Sequence, residues 1–241
     1  MIEFLHQNYL YLALGVEFLA AAIGLLLYKH YAHTAAKYFI IFLVYIFIVD
    51  LLGVYTHFVK ENKVLSFLLD TVYEKNYWLF TLTWDIGAVL FYSLYYRKIL
   101  QNRLSKIIVV GISILFFLFS LMYITSHWNS FFTGFYDSII VFGGFVIVVC
   151  TSLYFIEILL SEKILYFYKD LNFYISVAIF VWWIVITPLT FYDVYYTYEV
   201  GSKVRDWDYV HLRHQIYILA NLFMYLTFTF ALIWCKPPKQ D

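Results

Sequence analysis

Residues 38–59 read YFIIFLVYIFIVDLLGVYTHFV, with one acid, one histidine and neither lysine nor arginine. About 20 mostly apolar residues is the length that crosses the hydrocarbon core of a bilayer as an α-helix. Working outward from this stretch, six more segments share its character: 8–28, 77–96, 107–125, 138–160, 173–195 and 210–235. The whole chain is 64% hydrophobic and 13% charged, with a mean hydropathy of +0.78. Soluble domains carry about 45–50% apolar and about 25% charged residues. Lone spanning strands would leave backbone groups unpaired in lipid, and the short alternating segments of a barrel are absent. The expected fold is therefore an all-α membrane protein, a single domain over 1–241 built as a bundle of seven transmembrane helices.

Lysine and arginine placement sets the expected orientation. One set of loops holds Lys29, Lys37, Arg97, Lys98, Arg103, Lys106, Lys163, Lys169, Lys236 and Lys239. The other holds Lys60, Lys63, Lys75, Lys203, Arg205 and Arg213. The third loop, RKILQNRLSK (97–106), holds no acid and reads as cytoplasmic. The N-terminus is then outside and the C-terminus cytoplasmic. MIEFLHQN at the start has no basic region, so the first apolar run reads as a retained span rather than a cleaved signal. The connections are short, and none is long enough to fold as a separate catalytic domain.

Zero net charge and the lack of a basic stripe argue against nucleic acid as a partner. Cys150 falls in mid-span and Cys235 at the inner end of the last span, an arrangement unsuited to a structural disulfide. Tyr, at 25 residues, exceeds what two membrane interfaces use, so many tyrosines are expected between helices.

Ionisable residues inside spans are costly and face the bundle interior or a water cavity. Glu17, Asp50, Asp85 and Glu157 are of this kind, and Asp193 lies at the outer end of the sixth span. No lysine or arginine sits deep enough to pair with the mid-depth acids. They must be protonated, hydrogen-bonded, hydrated or in contact with a cation. His57 lies two helical turns beyond Asp50 and shares its face. With Asn221 in the seventh span, these give Glu17, Asp50, His57, Asp85 and Asn221 as ligand- or proton-binding candidates. The competing reading is structural, with protonated acids bonding helices together. Glu157, near the inner interface, suits a snorkelling or loop-contacting role.

His6, His57, His127, His211 and His214 fall near the outer ends, where imidazoles titrate near neutrality. His211 and His214 lie one turn apart, and with His57 they form a candidate zinc site. Trp182, Trp183, Pro188, Gly143 and Gly144 read as packing residues. A retinal protein is excluded, because its Schiff-base lysine in the seventh span has no counterpart. In seven-span metal-dependent hydrolases such as alkaline ceramidases, Ser and His stand in the second span, Asp in the third and HxxxH in the seventh. Here His57, Asp85 and His211/His214 are loosely similar, but Gly53 replaces the serine and the last spacing is three.

A broader resemblance rests on KYFIIFLVYIFIVDLLGVY (37–55) and FYSLYYRKILQNRLSKII (91–108). EILLSEKIL (157–165), FYISVAIFVWWIVITP (173–188) and ANLFMYLTFTFALIWC (220–235) extend it. The chain resembles an uncharacterised family of small seven-span proteins from Bacteroidetes, encoded beside sensor histidine kinases. The resemblance implies a multi-pass protein of the bacterial inner membrane with a sensing partner, and supplies no site residues. The expected function is a receptor-like signal-input subunit rather than an enzyme, with Arg97, Lys98, Arg103 and Lys106 docking the partner. The alternatives are a transporter or proton/cation pathway using Asp50 and Asp85, and a zinc-dependent intramembrane hydrolase.

Overall fold

The computed structural model describes residues 8–196 and 206–235. His6, Lys203, Arg205, Lys236 and Lys239 lie outside the described residues, as does the side chain of Lys163. Helix α1 is Tyr9–Tyr31 and α2 is Ala36–Gly53, prolonged by a 3-10 turn at Val54–Phe58. Helix α3 is the continuous stretch 77–99, made of an α turn Tyr77–Phe80, a π segment Thr81–Ala88 and an α segment Val89–Ile99. Then follow α4 (Arg103–Ser126), α5 (Asp137–Leu159), α6 (Leu171–Tyr196) and α7 (Trp207–Trp234). No strand occurs among the described residues.

Six of these helices are long and apolar enough to cross a membrane: α1, α2 with its 3-10 turn, α4, α5, α6 and α7. The chain is thus an apolar helical bundle of the multi-pass membrane kind. The expected third span is present as a helix, but the π segment divides it.

Local chemistry sets several ends. The Asn102 side chain accepts from the Leu104 amide at 2.8 Å to cap α4, and Asp206 accepts from the Tyr209 amide at 3.0 Å to cap α7. Helix α4 begins at Arg103, so the expected basic loop 97–106 is mostly helix. Arg97 and Lys98 close α3, Arg103 and Lys106 open α4, and only residues 100–102 lie between. The cause is the Asn102 cap, which starts a new helix at once.

Helix α1 packs on α2 and α7, α7 on α6, α6 on α5, and α5 on both α3 and α4; α3 closes the ring against α2. Helix α4 stands outside the ring, against α3 and α5. Leu115 and Leu118 of α4, with Leu25, Leu26 and Ile233 elsewhere, point outward, as residues solvated by lipid would. The adjacent glycines of α5 face two neighbours. A Cβ on Gly143 would lie 2.9 Å from Val89 of α3, and one on Gly144 would lie 3.2 Å from Trp183 of α6. Bare backbone therefore lets α5 approach both helices closely.

Tyrosine hydroxyls fasten the end of the bundle that the charge pattern places inside. Tyr31 donates to the carbonyls of Leu232 and Cys235, tying α1 to α7. Tyr95 reaches Asn172 at 2.6 Å and Tyr96 reaches Ser176 at 2.8 Å, tying α3 to α6. Tyr154 of α5 donates to Asp170 at 2.9 Å. All four tyrosines are buried, so much of the tyrosine excess is spent between helices. Cys150 and Cys235 are free and buried.

Candidate functional site

At the opposite end the helices splay around a partly open cavity of about 500 Å³. Every wall comes from the same end of the bundle. Helix α1 supplies Tyr9 and Glu17 from its first half; α2 supplies Asp50 and His57 from its last turns. Helix α3 supplies Phe80, Trp84 and Asp85, and α5 its first residue, Asp137. Helices α6 and α7 supply Trp182, Trp183 and Asp193, then Arg213, Tyr217 and Asn221. Helix α4 contributes no wall, as its place outside the ring requires.

Glu17 lies eight residues into α1, about 12 Å below its start at the α-helical rise. It is 3% exposed, and its carboxyl group is within hydrogen-bonding reach of that of Asp50. Its Oε2 receives no hydrogen bond from any described residue, and neither does Asp85 Oδ2. Trp84 Nε1–H donates to Asp50 Oδ1 at 3.0 Å. Trp182 Nε1–H donates to Asn221 Oδ1 at 2.7 Å, joining α6 to α7. The two indoles lie nearly parallel, with centroids 6.0 Å apart and planes 18° from one another. Their N–H edges are thus anchored and their rings fixed beside the acids.

The rim is held by Asp193. Arg213 Nε lies 2.7 Å from its carboxylate, and the Tyr209 hydroxyl donates to it at 2.7 Å. The Arg213 guanidinium also sits 4.9 Å above the Tyr217 ring. The only arginine among the described wall residues is therefore already engaged. His214 packs edge-on against Tyr9, with centroids 4.3 Å apart.

All five ligand or proton candidates, Glu17, Asp50, His57, Asp85 and Asn221, line this one cavity. Asp50 and His57 share the expected face, although His57 stands in the 3-10 turn beyond α2 proper and is exposed. The three histidines of the zinc hypothesis are not drawn together. His57 and His214 are in the wall, whereas the exposed His211 is outside it, against Trp207. Among the described residues no three His, Cys, Asp or Glu side chains are grouped as a metal site.

Sequence reasoning missed Trp84 and the Asp193–Arg213–Tyr209 group and took Trp182 for packing. The usable signal was that a buried indole N–H seeks an acceptor, which Trp84 and Trp182 each find across a helix contact. At the inner end, Glu157 accepts from the amides of Gln101 and Asn102 at 2.7 and 3.1 Å, pinning the α3–α4 connection. Lys98 donates to the Tyr38 hydroxyl at 3.1 Å and sits 4.2 Å above that ring, while Arg97 and Arg103 are exposed.

No family model, no curated protein sequence and no solved structure matches the chain.

Proposed function

We propose that this chain is a receptor-like signal-input subunit of a bacterial inner membrane. It crosses seven times, with 77–99 as the third span, its N-terminus outside and its C-terminus in the cytoplasm. A small ligand enters the outward cavity and biases the packing of the ring. The pinned inner surface around Arg97 and Arg103 passes that change to a partner, for which the family resemblance suggests a sensor histidine kinase.

The observation that carries this reading is the single-ended cavity: about 500 Å³ at one end of the bundle, with tyrosine-fastened helices at the other. Ligand pockets run from about 300 to 1,000 Å³ and combine apolar walls with a few convergent polar groups. The connections between the described helices are short, so the inner surface is the part of the bundle offered to a partner.

The test is photo-cross-linking in native membranes from probes at Arg97 and Arg103, with mass spectrometry of what is captured. A signalling protein captured there, and lost on charge reversal of Arg97, Lys98, Arg103 and Lys106, supports the reading. Capture of nothing, or capture indifferent to charge reversal, overturns it.

A second reading, a proton or cation pathway, is favoured by the contact between the Glu17 and Asp50 carboxyls, since relays use such intramembrane acids. It requires ion flux in proteoliposomes that is lost in Asp50→Asn or Asp85→Asn. Intact flux in both variants would dispose of it.

A further inference from the structure

Resting on the reading of the cavity as a ligand site, we infer that its ligand is an organic ammonium ion carrying an aromatic or similarly flat apolar group. The ammonium is held at Glu17 and Asp50, and the flat group lies against Trp84 and Trp182.

Three independent features of the wall lead there. The first is charge. Among the described wall residues are five acids, Glu17, Asp50, Asp85, Asp137 and Asp193, and one arginine, Arg213, which is bound to Asp193. An anionic ligand would find no free guanidinium among the described wall residues, whereas a cation would find carboxyl acceptors.

The second is unmet hydrogen-bonding capacity. Glu17 is 97% buried by its 3% exposure, yet its Oε2 has no hydrogen-bond partner among the described residues. Leaving a buried acceptor unmet costs about 1–3 kcal/mol, and more when the group is charged. An ammonium group carries several donors and a positive charge, so it answers that deficit at Glu17.

The third is the aromatic wall. Trp84 and Trp182 are locked by their N–H bonds to Asp50 and Asn221. Their ring surfaces therefore offer a rigid π lining directly beside the acids, which suits both a cation and a flat apolar body. A bare metal ion would ignore that lining, and no metal-sized group of ligands exists among the described residues.

The test uses the full chain in phosphatidylglycerol nanodiscs and three probes of one size: phenethylamine, phenethyl alcohol and hydrocinnamate. Binding is read from tryptophan fluorescence and from the thermal midpoint. Phenethylamine should bind about tenfold or more tightly than the other two, the ratio expected for one charge-assisted contact. Glu17→Gln and Asp50→Asn, each near-isosteric, should erase that preference while phenethyl alcohol binding stays as it was. Two variants are used so that one that fails to fold leaves the other decisive. Phosphatidylethanolamine is then added as a rival ammonium without a ring. Absence of competition by it is expected, and displacement of phenethylamine by the lipid overturns the flat-group part of the assignment.

Equal binding of the three probes, or a preference for the amine that survives both substitutions, overturns the ammonium assignment but leaves the cavity a ligand site. Absence of saturable binding by any probe overturns the assignment as well, and with a blank cross-linking result removes the receptor reading too.

Discussion

Cutting the bond between Trp182 and Asn221 offers a measurable check on how α6 and α7 are held at the cavity wall. The indole N–H to Oδ1 distance of 2.7 Å is at the short end of the N–H···O range, and both residues are part-buried. Interhelical hydrogen bonds in membranes contribute about 0.6 kcal/mol on average and about 1.7 kcal/mol at most. A short, part-buried example should fall near the upper half, about 1 kcal/mol. Neither single substitution isolates this. Trp182→Phe also removes ring area and the near-parallel contact with Trp84, whereas Asn221→Leu leaves an indole donor unmet. The double-mutant cycle subtracts those side effects. The assay is reversible unfolding in mixed micelles of rising dodecyl sulfate content, followed by tryptophan fluorescence. The double variant should lose about 1 kcal/mol less than the sum of the singles. Additivity within about 0.3 kcal/mol, the ordinary margin for independent sites, would show that the two helices are not joined there.

Three shorter checks follow from other contacts. Gly144→Ala places a Cβ 3.2 Å from Trp183 Cε3 and against Thr187, so it should lower stability by about 1–3 kcal/mol and shift tryptophan emission. Tyr96→Phe removes the bond to Ser176 inside the fastened end and should cost about 1 kcal/mol in the same unfolding assay without altering ligand binding. Glu157→Gln weakens the acceptor held by the amides of Gln101 and Asn102, and hydrogen exchange should quicken at those amides while the helices keep their protection.

The apolar runs made the helices legible because length and apolarity suffice to mark a helix in lipid, and the six long ones stand within a few residues of their expected bounds. The charged-loop reading was blurred at Arg103 and Lys106, since a single asparagine cap turns a presumed loop into helix. Within the site, Asp50 and His57 could be placed on one face by the 3.6-residue period. Their meeting with Glu17, Asp85 and Asn221 could not, because helix order around a ring is set by side-chain packing between segments far apart in sequence. Asp193 and Arg213 illustrate the same limit. Each was readable as a charge near the outer end, but nothing in their spacing of twenty residues across an interhelical connection says that they touch.

The π segment is the least legible feature and has the clearest physical signature. Such segments are frequently found at functional sites, and here Thr81–Ala88 carries Trp84 and Asp85, both in the cavity wall. Gly87 makes the geometry possible. A Cβ at that position would lie 2.9 Å from the carbonyl oxygen of Leu82, five residues back, a closeness that the wider π turn creates and a regular α-helix does not. Gly87→Ala therefore gives opposite signs for the two backbones. In a regular helix, replacing glycine by alanine is stabilising by about 1 kcal/mol. In the π segment the added methyl collides with main chain that cannot swing away. The variant should unfold earlier by about 1–3 kcal/mol, the range for an overpacked site, or escape the clash by tightening to an α-helix. Either result turns Trp84 and Asp85 from their places and weakens phenethylamine binding. A variant that is more stable than the parent and binds the amine as before would show that α3 needs no π turn to present these residues.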